Sequence, residues 1–109
     1  MTPIIHIKPG VQLAGIRPEM AVVLDVVPIV FARNGYDCWV TSAVRPNDPG
    51  KHGSGEGLDF DSSTDVPEET GHRIAASAKS FLGDDFDIIW HRAAGGRWHL
   101  HAEYDRKVA

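Results

Sequence analysis

Residues 98–103 read Trp-His-Leu-His-Ala-Glu, an alternation of apolar and polar side chains that decides the fold. Because successive side chains of a strand point to opposite faces, Trp98, Leu100 and Ala102 would share an apolar face. The opposite face would carry the polar side chains of this stretch, namely His99, His101 and Glu103. The alternation therefore predicts a strand that buries one face in the core of a sheet-containing domain.

Patterns on either side of this strand predict the remaining elements. The expected elements are strands at 36–43, 57–61, 86–91 and 97–104 and helices at 18–33 and 67–82. Pro18 and Pro67 suit the first turn of a helix, whereas Pro28 should kink the first helix or occupy a site that tolerates a lost hydrogen bond. Residues 93–96, Ala-Ala-Gly-Gly, are typical of a turn between the last two strands. This order predicts an α+β fold, a small antiparallel sheet covered by two helices.

The second helix carries two further predictions. Thr64 or Asp65 is expected to cap its first turn, and Gly83 to end it. Its buried stripe would consist of four apolar residues: Ile74, Ala78, Phe81 and Leu82.

Length and composition limit the class of protein. A chain of 109 residues has the size of one domain, and residues 1–16 are expected to form an extended N-terminal arm or edge strand. The net charge of −4 argues against nucleic-acid binding, which normally needs a basic face. The only cysteine, Cys38, excludes an intramolecular disulfide and is predicted to be a small buried residue rather than a nucleophile.

The N-terminus and the apolar runs bear on location. No secretory signal is visible, and the longest apolar run, residues 20–32, is too short and too interrupted to cross a bilayer. We therefore expect a monomer that is cytoplasmic when made and does not insert into membranes.

A glycine-rich segment holds the first residues that suggest chemistry. Residues 51–61 read Lys-His-Gly-Ser-Gly-Glu-Gly-Leu-Asp-Phe-Asp. The glycines let the backbone turn sharply, so the chain can leave His52 and return with Asp59 nearby. In the strand that follows, Asp59 and Asp61 would point to the same face.

Two imidazoles and a carboxylate on one short strand are costly to bury without a partner, and a metal ion would be such a partner. Zinc binds histidine nitrogen and aspartate oxygen, and a catalytic zinc site uses three protein ligands. His52, Asp59 and one of the pair His99 and His101 supply such a set. Neither a His-x-His pattern nor a glycine-rich loop with one histidine is informative alone. Solvated or structural roles are predicted for the other histidines: His6, His72 and His91.

Three motifs taken together resemble a known family. They are Thr-Ser-Ala-Val-Arg at 41–45, His52-x-x-Gly-x-Gly-x-Asp59-Phe, and His99-x-His101. This combination is similar to the zinc D-alanyl-D-alanine peptidases, which belong to a wider group with the lysostaphin-type endopeptidases and the hedgehog signalling domain. The resemblance extends from about Pro18 to Tyr104 and implies the fold of that group.

The resemblance also implies a role for each matching residue. The ligands of one Zn²⁺ would be His52, Asp59 and His101. His99 would be the catalytic histidine or would stabilise the transition state. Arg45 would hold the carbonyl or carboxylate of the substrate and stabilise the developing oxyanion, and Ser42 would support this region through hydrogen bonds.

The chain departs from the family pattern where the general base is concerned. Trp98 stands three residues before the last ligand, where many members carry an acidic residue. The base would therefore be His99, with Glu103 and Asp61 as the alternatives. An exchange of the ligand and catalytic roles between His99 and His101 also stays open.

The function implied by the resemblance is hydrolysis of peptide bonds in bacterial peptidoglycan by zinc-activated water. The partners would be peptidoglycan stem peptides, and the enzyme would be a D-Ala-D-Ala carboxypeptidase or an endopeptidase. Small size without a secretory signal suits a phage endolysin that reaches the wall after release or from a virion. The alternatives are a non-catalytic zinc-binding module and a phage structural protein of the same fold.

Overall fold

Five strands and two α-helices make up the structure, a computed structural model in which residues 3–92 and 95–107 are described. In chain order the elements are β1 (Ile5–Ile7), α1 (Ala21–Arg33), β2 (Cys38–Ser42), β3 (Gly57–Asp61), α2 (Glu68–Leu82), β4 (Phe86–Arg92) and β5 (Trp98–Tyr104). A short 3₁₀ turn, Pro18–Met20, leads into α1. The predicted α+β fold is confirmed.

The strands form one sheet in the order β1-β2-β3-β5-β4. The pairs β2–β3, β3–β5 and β5–β4 are antiparallel, whereas β1 runs parallel to β2. The sheet is therefore mixed, which corrects the predicted wholly antiparallel sheet at one edge. The physical reason is that α1 lies between β1 and β2 in the chain, and such a crossover is what brings two strands side by side in parallel.

Alternate strand positions supply the core, and α1 and α2 pack against that side of the sheet. Leu100 and Ala102 of β5 are fully buried, as the alternation predicts. The strand residues that share this core include Val40, Leu58, Phe60 and Trp90, and the helical ones include Val27, Phe31 and Ile74. The opposite side of β5 carries His99 and His101, so the polar side chains lie on the face away from the helices.

The first helix and the buried cysteine follow the prediction closely. Pro28 is accommodated inside α1, and Asn34 and Gly35 end this helix, with Gly35 at φ +85°. Cys38 is buried, and burial together with the charges of Asp37 and Asp61 raises the pKa of its thiol. Among the residues described, no helix has the length and apolar character needed to span a membrane.

The start of α2 differs from the prediction. The predicted cap by Thr64 or Asp65 is wrong, because Pro67 occupies the position directly before the first helical residue and no side chain caps the helix there. Asp65 instead faces Arg97, with 3.6 Å between Oδ1 and Nη2. Of the predicted turn at 93–96, residues 93 and 94 lie outside the described residues.

The buried stripe of α2 is shorter than predicted. Ile74 and Ala78 are fully buried and Leu82 packs partly against the core, but Phe81 is 60% exposed. Phe81 lies beside α1 instead of under the sheet, with the guanidinium of Arg33 5.9 Å from its ring centre. Its prediction as a core residue is therefore wrong.

Asp37 ties the end of β3 to the start of β2. Its carboxylate accepts hydrogen bonds from the hydroxyls of Ser62 and Ser63, from the backbone N–H of Ser63 and from Nε1 of Trp39. Burial works to raise the pKa of Asp37, but these hydrogen bonds outweigh it and hold the pKa well below its usual range. The carboxylate is therefore charged in the folded protein at neutral pH.

Asp37→Asn should lower the free energy of unfolding at pH 7 by about 1–2 kcal/mol, because an amide cannot accept all four hydrogen bonds. The pKa of Asp37 is lower in the folded chain than its unfolded value of about 3.9. The stabilisation that the charged Asp37 provides is therefore fully present above the unfolded pKa and is lost as the pH falls through the folded pKa. In urea unfolding, the difference in free energy of unfolding between wild type and Asp37→Asn should be smaller at pH 2.5 than at pH 7. Asp25→Asn, on the exposed side of α1, is the control. A difference that does not change with pH would contradict a lowered pKa of Asp37.

Gly71→Ala should destabilise the protein by about 1–2 kcal/mol. A Cβ at Gly71 would lie 2.1 Å from the buried indole of Trp90, so the ring would have to shift. Overpacking of this kind costs about 1–3 kcal/mol, whereas alanine returns at most about 1 kcal/mol of helix propensity. Ser80→Ala, on the exposed side of the same helix, should change the free energy of unfolding by less than about 0.5 kcal/mol. If Gly71→Ala and wild type unfold at the same urea concentration, the indole of Trp90 does not prevent a side chain at position 71.

Candidate metal centre

Four histidines lie together on the face of the sheet that the helices leave uncovered. The ring centres of His52 and His101 are 5.4 Å apart, and those of His91 and His99 are 4.4 Å apart. His91 is also 5.8 Å from His101, which links the two pairs. Strand register explains this grouping, because His91 is directly opposite His99 in the β4–β5 pair.

The third and fourth strands bring a carboxylate into this group. Asp59 is directly opposite His101 in the β3–β5 pair and opposite Ser42 in the β2–β3 pair. His52 reaches the same place from the loop that precedes β3. This loop needs its glycines: a Cβ at Gly53 would lie 1.7 Å from the backbone oxygen of Asp48. The sharp return predicted for the glycine-rich segment is confirmed.

His52, Asp59 and His101 form a compact set of possible metal ligands. One ligand atom from each lies within 4.8 Å of the other two. Nε2 of His52 is 3.3 Å from Oδ2 of Asp59, and Nδ1 of His101 is 2.7 Å from Oδ1. His52 is only 5% exposed. The three residues are therefore positioned to hold a metal ion, and they are the set that the motif resemblance implies.

The remaining ring nitrogens of both histidines already have partners. Nδ1–H of His52 donates to the backbone oxygen of Ala43 at 2.7 Å, which turns Nε2 towards Asp59. Nε2 of His101 is 2.9 Å from Oε1 of Glu103, so the N–H at this nitrogen donates to the carboxylate. Backbone carbonyls and carboxylates on the far nitrogen are the usual means of orienting metal-binding histidines. The arrangement fixes which nitrogen each ring presents.

The two histidines face different oxygens of the same carboxylate, His52 facing Oδ2 and His101 facing Oδ1 of Asp59. Ligand atoms of a tetrahedral zinc site lie about 3.3 Å apart, because each bond is about 2.0–2.1 Å long. The 2.7 Å between Nδ1 of His101 and Oδ1 of Asp59 is shorter than this, so a zinc ion would have to separate these two side chains.

The charges of the cluster are strongly coupled. Burial works to raise the pKa of Asp59, but hydrogen bonds from His101 and His52 outweigh it and hold the pKa well below its usual range. Burial works to lower the pKa of His101, but Asp59 and Glu103 outweigh it and raise that pKa. A proton and a metal ion therefore compete for His101, and metal binding should weaken as the pH falls.

His99 lies beside the ligand set with a defined orientation. Its Nδ1–H donates to the backbone oxygen of Arg97 at 3.1 Å. Nε2 lies 3.9 Å from Oδ2 of Asp59. Nε2 of His99 thus faces the cluster, and His101, not His99, completes the set of three.

The other predicted site residues are placed as follows. Oγ of Ser42 is 3.5 Å from Nδ1 of His52, at the outer limit of a hydrogen bond. The backbone N–H of Arg45 donates to the oxygen of His52, but its guanidinium pairs with Asp48 at 3.3 Å and is half exposed. Asp61 shares the face of Asp59 and pairs with Arg97 at 3.1 Å, while burial raises its pKa.

Sequence reasoning did not place His91 at the centre. Its Nε2 is buried without a hydrogen-bond partner among the residues described, and burial, then the charges of His99 and His101, lower its pKa. The turn predicted at 93–96 would place His91 opposite Trp98, whereas Arg92 is opposite Trp98 and His91 is opposite His99, so the predicted turn could not have revealed this contact. The two remaining histidines lie elsewhere: His6 stacks on Trp39, and His72 meets the edge of Trp98.

Comparison with known proteins gives no relative. No family model, no curated protein and no solved structure matches this chain. Which ligands the cluster can bind is therefore inferred from its geometry alone.

Addition of Zn²⁺ should raise the thermal unfolding midpoint of the protein. Binding at a hundredfold excess over Kd stabilises by about 2.7 kcal/mol, which corresponds to roughly 10 °C for a domain of this size. His52→Gln should remove most of this shift and the bound metal, because one of three ligands is lost. His72→Gln, on the exposed surface of α2, should respond like wild type. Calorimetry and metal analysis measure both quantities, and an equal shift in His52→Gln and wild type would exclude this centre.

Proposed function

We propose that the protein is a zinc-dependent peptidase that hydrolyses peptide bonds of bacterial peptidoglycan. The observation that supports it is a set of two histidines and one aspartate beside a further histidine whose Nε2 faces them: His52, Asp59, His101 and His99. This composition matches a catalytic zinc site with three protein ligands. The motif resemblance to the D-alanyl-D-alanine peptidases supplies the substrate class, including stem peptides as partners and action on the wall as a phage endolysin.

Zinc in such a site would polarise the scissile carbonyl and lower the pKa of water to near neutrality. His99 is the residue that would accept the proton, because Nδ1–H donates to the backbone oxygen of Arg97 while Nε2 faces Asp59 at 3.9 Å, beyond hydrogen-bond distance. Glu103 is less suited to this role, since its carboxylate is engaged by His101. Asp61 is likewise engaged by Arg97. Both alternatives predicted from the sequence therefore have competing partners, which favours His99 as general base.

The position of Arg45 bears on a second candidate function. Its pairing with Asp48 leaves the proposed oxyanion-stabilising guanidinium occupied. Trp98 stands where many D-alanyl-D-alanine peptidases carry the acidic residue that serves as general base, so this chain lacks that base. Both observations favour a non-catalytic zinc-binding module as the alternative. For catalysis, Arg45 would have to leave Asp48 and turn to the substrate.

His99→Gln should separate catalysis from metal binding. Purified, zinc-loaded protein is incubated with peptidoglycan and with a D-Ala-D-Ala peptide, and the products are identified by mass spectrometry. Loss of a general base should lower kcat by about 10²–10⁴-fold while zinc content stays near one per chain. His52→Gln should lose both zinc and activity, and His72→Gln should keep both.

The products also decide between the candidate functions. Release of D-alanine indicates a carboxypeptidase, and cleavage within the stem or cross-link indicates an endopeptidase. Zinc at one per chain with no cleavage of any muropeptide would support the binding module. Full activity of His99→Gln would exclude His99 as the base.

A further inference from the structure

The outward side of α1 is apolar and yet exposed to solvent. Only two of the 13 residues of this helix are charged, and the rest are apolar. A helix that is apolar on nearly all sides is typical of a buried position. However, Val22 is 43% exposed and Ile29 is 38% exposed on the side that faces away from the sheet. This side of α1 therefore lacks the polar surface of an ordinary amphipathic helix.

Five residues make up this outward surface, the α1 face: Val22, Asp25, Val26, Ile29 and Arg33. Their spacing of three and four residues places them on one stripe of the helix. Two grooves, of about 350 and 120 Å³, meet at the side chain of Ile29. Asp25 lines the larger groove, and Arg33 lines the smaller one together with the exposed ring of Phe81. Ile29 is therefore the centre of the face.

The two charges of the α1 face stand at equal distances from this centre. Asp25 precedes Ile29 by four residues and Arg33 follows it by four, so each lies about 6 Å from it along the helix axis. Within residues 3–92 and 95–107, Asp25 makes no hydrogen bond or ion pair. In the same part of the chain, the guanidinium of Arg33 is paired with no carboxylate and lies 5.9 Å from the ring centre of Phe81. Both charges are therefore available to a partner.

This arrangement makes the α1 face complementary to itself. In an antiparallel pair of helices with a two-fold axis beside Ile29, Asp25 of each copy would face Arg33 of the other. The two Ile29 side chains would meet at the axis. A parallel pair would instead bring like charges together, which is destabilising. The charges therefore select the antiparallel orientation.

We propose that the α1 face is the contact between two copies of this chain, which associate as an antiparallel, two-fold symmetric dimer centred on Ile29. A second copy is the occupant that the charges specify, because one face supplies both members of each ion pair. Phe81, beside Arg33, would then lie against the half of the other face that carries Val22. The proposal replaces the monomer expected from the sequence.

The metal centre stays accessible in this dimer. The helix α1 packs on one side of the sheet, and the four clustered histidines occupy the other. The two copies would therefore present their centres on opposite outer surfaces. Association through the α1 face thus depends neither on metal nor on the proposed function.

The size of the contact sets its strength. A standard stable interface buries about 800 Å² on each partner. The α1 face is one stripe of one helix with a single neighbouring ring, so the contact belongs to the smaller and weaker class. We expect a Kd on the order of 10–100 µM.

Sedimentation velocity of the full chain, from about 1 µM to about 1 mM, covers this range of Kd. The average mass should rise with concentration from 11.9 kDa towards twice that value. Ile29→Lys should weaken association about tenfold or more, because two ammonium groups would meet at the axis. Ile89→Lys is the matched control: it makes the same change at an isoleucine of β4 that is 48% exposed, and it should associate like wild type.

Charge reversal tests the antiparallel orientation. Asp25→Arg and Arg33→Asp each turn both ion pairs of the dimer into repulsions, so either variant alone should associate about tenfold more weakly than wild type. An equal mixture of the two variants should associate like wild type, because one copy then carries two cations at the facing positions and the other carries two anions. The double variant should also dimerise like wild type. The three substituted positions are exposed in the monomer, and circular dichroism checks that each variant is folded.

Three results would overturn the dimer: a mass of 11.9 kDa at every concentration, association that survives Ile29→Lys, or a mixture of the reversed variants that associates no better than either alone. Association lost in Ile89→Lys but kept in Ile29→Lys would assign the contact to the edge strand β4 instead.

Discussion

The carboxylate of Asp59 is the group on which the open face of this protein depends. It lies in a central strand, is mostly buried, and receives His101 at 2.7 Å and His52 at 3.3 Å. A charge in this setting is stable only while both imidazoles face it. Three features bring the two imidazoles to this carboxylate: the glycine-rich loop, the register of β3 with β5, and the hydrogen bond from His52 to Ala43. Without any one of them, the buried charge of Asp59 would lose an imidazole partner.

The alternation of side chains in β5 connects this contact to stability. Leu100 and Ala102 are fully buried against the helices, while His99 and His101 point the other way. A register slip of one residue would exchange the two sets and bury both imidazoles in the apolar core. The same six residues, 98–103, therefore contribute to both the core and the candidate metal centre.

Much of the fold could be predicted from residue patterns, because alternation, prolines and glycines act locally. The pattern at 57–61 predicts a strand, which is β3. The residues alone predict His52 and Asp59 with one of His99 and His101, the motif resemblance favours His101, and His52, Asp59 and His101 lie together. Contacts that depend on three-dimensional packing could not be predicted in the same way. Phe81 has the periodicity of a core residue but lies beside α1, and the guanidinium of Arg45 meets Asp48 instead of the centre. The parallel edge strand depends on how α1 crosses the sheet, which its sequence does not encode locally.

Charges beyond the ligands determine how His101 is held. Glu103 belongs to a second group of carboxylates with Asp87 and Asp105, and three such groups close together repel one another. The ammonium of Lys107 lies 3.1 Å from Asp87 and 3.4 Å from Asp105, so one positive charge is shared between two of the three carboxylates. Glu103 is then the carboxylate left to face Nε2 of His101. The carboxylate that faces His101 therefore belongs to an acidic group whose other two members share the ammonium of Lys107.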